Sequence, residues 1–200
     1  NGDPLWYKDE VDANKNPTGK RVTTNDYGSA DYYYVNKSSL PKVYGGFNTS
    51  LSWKGFDLSA IFAYSIGGYI YNRDVTMILH NGSLEGRDWS TEILRRWTPD
   101  NRYTDVPALS TTSNNWNSAS TRFLQNNSYM RLKNLTLSYN LPKQWISKLS
   151  LSSVQVYVQG DNLFTIHRNQ GLDPEQGITG ITYYRYPAMR TISGGINVSF

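Results

Sequence analysis

Residues 43–65 constrain the fold more than any other part of the chain. Phe47, Thr49, Leu51 and Trp53 alternate with Asn48, Ser50 and Ser52, and after Lys54-Gly55 the series Phe56, Leu58, Ala60, Phe62 and Tyr64 alternates with Asp57, Ser59, Ile61 and Ala63. Successive side chains of a strand point to opposite faces, and a two-residue hairpin loop fixes the register. Lys54-Gly55 therefore predicts Trp53 opposite Phe56, Leu51 opposite Leu58, Thr49 opposite Ala60 and Phe47 opposite Phe62. All four pairs fall on one face, and Ser52–Asp57 and Ser50–Ser59 fall on the other. A slip of one residue would destroy this agreement, so the pattern argues for a hairpin. Each arm is about ten residues, longer than the usual strand of about five or six and long enough to cross a bilayer when tilted.

The same period returns further on. Leu135, Leu137 and Tyr139 alternate with Asn134, Thr136 and Ser138; Val154, Val156 and Val158 alternate with Gln155, Tyr157 and Gln159, up to an interruption at Asp161-Asn162; Ile192, Ile196, Val198 and Phe200 alternate with Thr191, Ser193, Asn197 and Ser199. Strands are expected at about 43–53, 56–65, 129–139, 153–164 and 188–200, with Leu141-Pro142 ending the third and one helical turn at Gln144–Lys148. Residues 1–42 read as a loop segment of turn clusters (Gly2-Asp3-Pro4, Asn16-Pro17-Thr18-Gly19, Asn25 to Ser29), in which the sequence allows one short strand around Tyr32–Val35. Loops are expected at 66–127 and 165–186. Within the first, Asp88 is a candidate N-cap for a helix with Trp89, Ile93, Leu94 and Trp97 on one face and Pro99 as its stop, and Ser110–Ser120 reads as irregular surface.

One end of these strands carries short links, Lys54-Gly55 and Leu141 to about Ser152, and the other carries long ones. Bacterial outer-membrane barrels have that asymmetry, with short periplasmic turns and long extracellular loops. Five strands cannot close, because the smallest membrane barrels use about eight and an open edge in hydrocarbon is costly. The expected fold is thus all-β: antiparallel strands of a larger transmembrane barrel, loops outside and Phe200 on the periplasmic side. The competing fold is a soluble secreted glycan-binding β-sandwich, in which the same apolar face lies beneath a second sheet.

Composition narrows the chemistry. Cysteine is absent and only His80 and His167 are present, which excludes a thiolate metal site, a Cys nucleophile and a His-rich centre. The net charge of +4 is scattered, so nucleic acid is not an expected partner. Charged residues make up only 18% and aromatics 14%, a bias that suits β-structure outside the cytoplasm. No run is long and apolar enough for a transmembrane helix. No charged-then-apolar leader follows Asn1, so the chain reads as a piece of something longer.

Several runs occur together in a telling order: Pro41-Lys42 with Gly45-Gly46; Trp53-Lys54-Gly55-Phe56-Asp57-Leu58-Ser59; Arg96-Trp97-Thr98-Pro99-Asp100-Asn101; Thr104-Asp105-Val106-Pro107; Ser128 to Leu137; Asn162-Leu163-Phe164; Gly171-Leu172-Asp173-Pro174-Glu175; and Tyr186-Pro187. In that order and spacing the chain resembles the C-terminal part of a SusC/RagA-type TonB-dependent outer-membrane transporter of the Bacteroides kind. The resemblance implies a 22-stranded barrel with an upstream plug. It also implies uptake of glycans or peptides beneath a SusD-like surface lipoprotein, and energy from the TonB complex acting through the missing N-terminal part. No enzymatic activity and no cofactor are implied.

Particular residues follow. In the terminal run, Ser193, Gly195, Val198 and Phe200 resemble the signal read by the barrel assembly machinery; the alternative is an ordinary edge strand. Trp53 and Phe56 are expected in the aromatic girdle at the outer-membrane lipid interface, or in a core if the fold is a sandwich. Asp12, Asn14 and Asn16 have the one-three-five spacing of an EF-hand start, but Pro17 and Thr23 replace the required Gly and Glu, so turn chemistry is favoured over metal binding. Trp89 and Trp97 are expected to pack; Trp116, Tyr183, Tyr184 and Tyr186 are candidates for stacking on glycans or meeting the lid, with none singled out. Asp173-Pro174-Glu175 is read as a loop motif and not as a carboxylate pair for catalysis. His80 and His167 are expected to be solvated, and Arg95-Arg96 to form local ion pairs.

Overall fold

A computed structural model describes every residue except 81, 83, 111, 113, 114, 170, 172, 176 and 183, together with all side chains of the described elements but that of Leu149. The chain divides into two units, Asn1–Asn36 with Asn72–Leu124, and Lys37–Tyr71 with Gln125–Phe200.

The first unit contains a hairpin, β1 (Trp6–Val11) and β2 (Pro17–Thr24), where the sequence reads as loop. Its turn is built by Asp12, whose carboxylate accepts from the backbone N–H of Asn14 (2.8 Å) and Asn16 (2.9 Å), with Lys15 at φ +65°. The hairpin escaped detection because Tyr7 and Val11 lie on its exposed side, opposite to the usual alternation. Tyr32–Val35 is not a strand. A short helix, α1 (Arg73–Ile78), is capped by Asn72, whose side chain accepts from Val75 N–H. The helix expected from Asp88 is a single 3-10 turn, Thr91–Arg95, capped by Ser90. Of its expected apolar face only Ile93 is buried, and Leu94 is exposed. Ile93 joins Val106 and Trp116 in the core of this unit.

The second unit is built on a five-stranded antiparallel sheet. Its strands are β3 (Val43–Trp53), β4 (Phe56–Ile66), β7 (Tyr129–Asn140), β8 (Ser153–His167) and β9 (Thr191–Ser199), hydrogen-bonded in that order as a meander. Between β4 and β7 in sequence, β5 (Tyr69–Tyr71) and β6 (Leu124–Asn126) form a small two-stranded sheet. The β3–β4 register is the one the Lys54-Gly55 turn dictates: Trp53 faces Phe56, Leu51 faces Leu58, Thr49 faces Ala60 and Phe47 faces Phe62. Lys54 and Gly55 both have positive φ (+48° and +88°), the twist that matches flanking strands. The turn after β7 is α2 (Lys143–Ile146) followed by one 3-10 turn, with Ile146 buried.

Two irregularities keep the faces in phase. Between Ile61/Phe62 and their partners Asn134/Leu132, β7 carries one extra residue, Lys133. Beside it, β8 carries an extra residue against β7 between Asp161 and Phe164, with Asn162 at φ +52°. The Asp161-Asn162 interruption is therefore a bulge, and the strand continues to His167. A bulge changes which residues share a face. Met130 and Leu132 consequently align with Tyr64 and Phe62, on the same face where Leu135, Leu137 and Tyr139 meet Ala60, Leu58 and Phe56.

Candidate membrane-facing surface

Most of the apolar residues of all five strands fall on one face. Phe47, Leu51 and Trp53 of β3 meet Phe62, Leu58 and Phe56 of β4; these continue into Leu132, Leu137 and Tyr139 of β7, Phe164, Val158 and Val156 of β8, and Ile196 and Ile192 of β9. Much of this face is open to its surroundings: Leu51 is 67% exposed, Ile196 65% and Ile192 72%. In a sandwich these side chains would be sealed in a core; in a barrel they form a band in contact with lipid. An apolar patch running across five strands is far beyond what a water-soluble surface tolerates.

The opposite face is mainly polar, with Ile61 and Ala63 among its polar residues. One chain of hydrogen bonds crosses the whole sheet near the short-turn end. Ser52 donates to Asp57, Asn140 donates to Asp57 (2.7 Å), Gln155 donates to Asn140 (3.1 Å) and Asn197 donates to Gln155 (3.2 Å). Further along, Asp161 accepts from Asn134 (2.8 Å) and from Gln159. The members of this ladder find their partners on their own face, without a second sheet.

Trp53 and Phe56 meet across the Lys54-Gly55 turn, and both are exposed. The Phe56 ring lies 4.4 Å from that of Tyr139, and Lys54 Nζ sits 4.9 Å from the Trp53 ring centre. An aromatic group with a cation beside it marks the short-turn end of the sheet. The four residues of the terminal run do not form a cluster. Ser193 and Gly195 lie on the polar face opposite Gln159 and Tyr157, Val198 lies opposite Val154 on the apolar face, and Phe200 follows β9 at 92% exposure. Gly195 also has a local reason to be glycine, since a Cβ there would meet the Tyr157 ring at 2.7–2.9 Å.

The polar face holds one group of charges that the sequence reading did not assemble. Arg131 of β7 is 3% exposed at its side chain and contacts Asp173, itself 7% exposed. Its Nη1 reaches Glu175 (2.8 Å) and its Nε donates to Thr165 (3.0 Å), while Lys133 Nζ reaches Glu175 at 2.6 Å. Asp173 also accepts from the backbone N–H of Glu175 (2.9 Å) and Ala188 (2.6 Å). Burial pushes the Asp173 carboxyl up, but the two N–H donors and the Arg131 guanidinium outweigh it and hold the group below its usual value. The signal in the sequence was an i, i+2 pair of cations, Arg131 and Lys133, matching an i, i+2 pair of carboxylates.

Of the remaining candidates, His80 and Trp116 depart from expectation. His80 is 1% exposed, not solvated, and its Nδ1 accepts from Trp89 Nε1 at 2.9 Å. Trp116 is a core residue whose Nε1 donates to the Leu79 carbonyl at 2.6 Å, so it is not a surface platform. Trp89 and Trp97 pack locally, the latter against Gly2. Arg95 pairs with Glu92 and Asp105, both at 2.7 Å. Tyr184, Tyr186 and His167 are exposed, whereas Tyr183 and Leu172 lie outside the described residues. The Asp12 carboxylate is occupied by its own turn, and the described residues hold no cluster of three metal-ligating side chains.

An antiparallel meander with an apolar outer face, a polar inner face and an aromatic rim is the wall of a transmembrane β-barrel. No protein-family model matches the chain. Among curated proteins it is 34% identical to TonB-dependent receptor P3 of Formosa agariphila over 166 residues, covering 78% of this chain and 16% of that receptor. It is 27% identical to TonB-dependent receptor SusC of Bacteroides thetaiotaomicron over 198 residues, covering 97% of this chain and 19% of the receptor. The solved structure of the RagAB peptide importer in its closed-closed state superposes over 100% of this chain and 21% of its own, with a TM-score of 0.80 and 35% identity. The chain belongs to the SusC/RagA-type TonB-dependent receptors, as a C-terminal-type region of their outer-membrane barrel. It spans about a fifth or less of the length of the relatives it matches.

Proposed function

We propose that this chain forms part of the wall of a TonB-dependent outer-membrane importer of glycans or peptides, with a SusD-like surface lipoprotein as its lid. The observation that carries the reading is the sorting of side chains: a lipid-compatible band on one face of β3, β4, β7, β8 and β9, and a hydrogen-bonded polar ladder on the other. The polar face lines the wet lumen. The end that carries residues 66–127 and 168–190 is extracellular, and the short-turn end with Phe200 is periplasmic. Trp53 and Phe56 then sit in the inner girdle, where an amphipathic ring beside Lys54 suits the interface. Ser193, Gly195, Val198 and Phe200 serve as the signal for the barrel assembly machinery. The TonB complex acts through a part of the protein outside this chain, and the chain contributes no catalysis. Fractionation of cells making the full-length protein with an affinity tag tests this. It should partition with the outer membrane and bring down a surface lipoprotein; recovery in the soluble periplasmic fraction would overturn the reading.

A further inference from the structure

Asp173 closes the neck of the connection between β8 and β9. Its Oδ1 accepts from Glu175 N–H and contacts Arg131, and its Oδ2 accepts from Ala188 N–H, so one carboxylate joins the two ends of the excursion to a strand of the sheet. The middle of the excursion is held separately. Ser39 Oγ donates to the Ile178 carbonyl (2.9 Å), Tyr71 N–H donates to the Gly180 carbonyl (2.7 Å), and Thr182 N–H donates to the Tyr71 carbonyl (3.1 Å). Its residues Ile178, Ile181, Tyr184 and Tyr186 are nevertheless exposed, so its apolar burial is confined to the neck, where Pro174 is fully buried beside Asp173.

Energy falls unevenly over these contacts. Exposed hydrogen bonds such as that of Ser39 contribute little. A charge pair as buried as Arg131 with Asp173 is worth little over an apolar substitute, but breaking it leaves one arm of a buried guanidinium unpaired, with only the partly exposed Glu175 as a charged partner, and is unfavourable. Glu175 and Lys133 are both about a third exposed and form the weaker arm. Releasing the two ends of the connection from the sheet requires that the buried pair separate.

We propose that Asp173 is the keystone of a lock that keeps the β8–β9 connection folded against the polar face of the sheet, so that it is a fixed shelf of the wall and not a moving gate. The lock stands on the contacts of Asp173 and does not depend on what the protein imports.

Hydrogen exchange on the full-length transporter in detergent tests it, with Asp173→Asn and Glu175→Gln as variants. In the wild type the Glu175 and Ala188 amides should exchange as slowly as neighbouring strand amides. Asp173→Asn should speed exchange across 173–188 by about a hundredfold or more while leaving β7 and β8 unchanged. Glu175→Gln should have a smaller effect. Unchanged exchange in Asp173→Asn, a larger effect from Glu175→Gln, or an effect spread equally over β7 and β8 would each overturn the lock. Should Asp173→Asn fail to assemble, the wild-type measurement decides: fast exchange at Glu175 and Ala188 refutes the proposal, and slow exchange supports it.

Discussion

Leucine 135 provides the sharpest perturbation of the lipid-facing reading. It pairs with Ala60 on one side and Gly160 on the other, on the apolar face of the central strand. Tyr139, at the aromatic rim, lies four residues further along the same face. At about 3.4 Å per residue and a tilt of about 40°, that separation is about 10 Å along the membrane normal. Half the height of an apolar band of about 25 Å is about 12 Å, so Leu135 sits close to the midplane. An arginine there should destabilise the barrel by about 2–4 kcal/mol, a change of about 30- to 1000-fold in the folded-to-unfolded ratio. Thr136 lies at the same depth on the polar face, and its hydroxyl donates to Asn134 at 2.9 Å. Thr136→Arg should cost about 1 kcal/mol at most, the value of that one hydrogen bond. Denaturant unfolding of the full-length protein in lipid vesicles, followed by the gel migration of the folded barrel, measures both. Equal penalties, or a larger one at 136, would refute the assignment of the faces.

Three further outcomes follow from the geometry. Gly55 has φ +88° and a Cβ there would come within 3.1 Å of the Asn140 carbonyl, so Gly55→Val should lower stability by about 1–2 kcal/mol in the same titration. Deleting Phe200, which follows β9 and is nearly fully exposed, should reduce the amount assembled in the outer membrane while leaving the stability of the assembled fraction within about 0.5 kcal/mol. Asp173 has a depressed carboxyl value when folded, so its contribution is complete above the unfolded value of about 3.9 and is lost as pH falls through the folded value. A spin label at Ala188→Cys, whose backbone N–H Asp173 holds, should therefore keep one mobility from pH 7 down to about 4 and become more mobile below. Arg131, Lys133, Glu175 and Tyr129 are the charged and titratable neighbours in that titration.

What could be read from the residues alone followed the strength of the local signal. The β3–β4 hairpin was legible down to its register, because a two-residue turn and two alternating arms constrain each other. The bulges at Lys133 and Asn162 were not, since a single extra residue reveals itself only by what lies beside it. Counted as an ordinary residue of the alternation, Lys133 puts Met130 and Leu132 on the wrong face. β1 and β2 were hidden because their half-buried positions include Lys8 and Glu10 while Tyr7 and Val11 face outward. His80 and Trp116 looked like loop residues; His80 is buried beside Trp89, nine residues on, and Trp116 against Leu79, 37 residues back, contacts that no periodicity marks. The Arg131 cluster joins β7 to a connection some forty residues later, a contact that periodicity does not register.

The central claim is that hydrocarbon surrounds one face of these strands and water the other. A nitroxide scan along β4, residues 56–66, in the full-length protein in bilayers measures it directly, through collision rates with oxygen and with a water-soluble nickel complex. Oxygen accessibility should peak at Leu58, Ala60 and Phe62 and nickel accessibility at Ser59, Ile61 and Ala63, the two series alternating out of phase. Low access to both reagents at 58, 60 and 62 would place that face beneath protein and contradict the account.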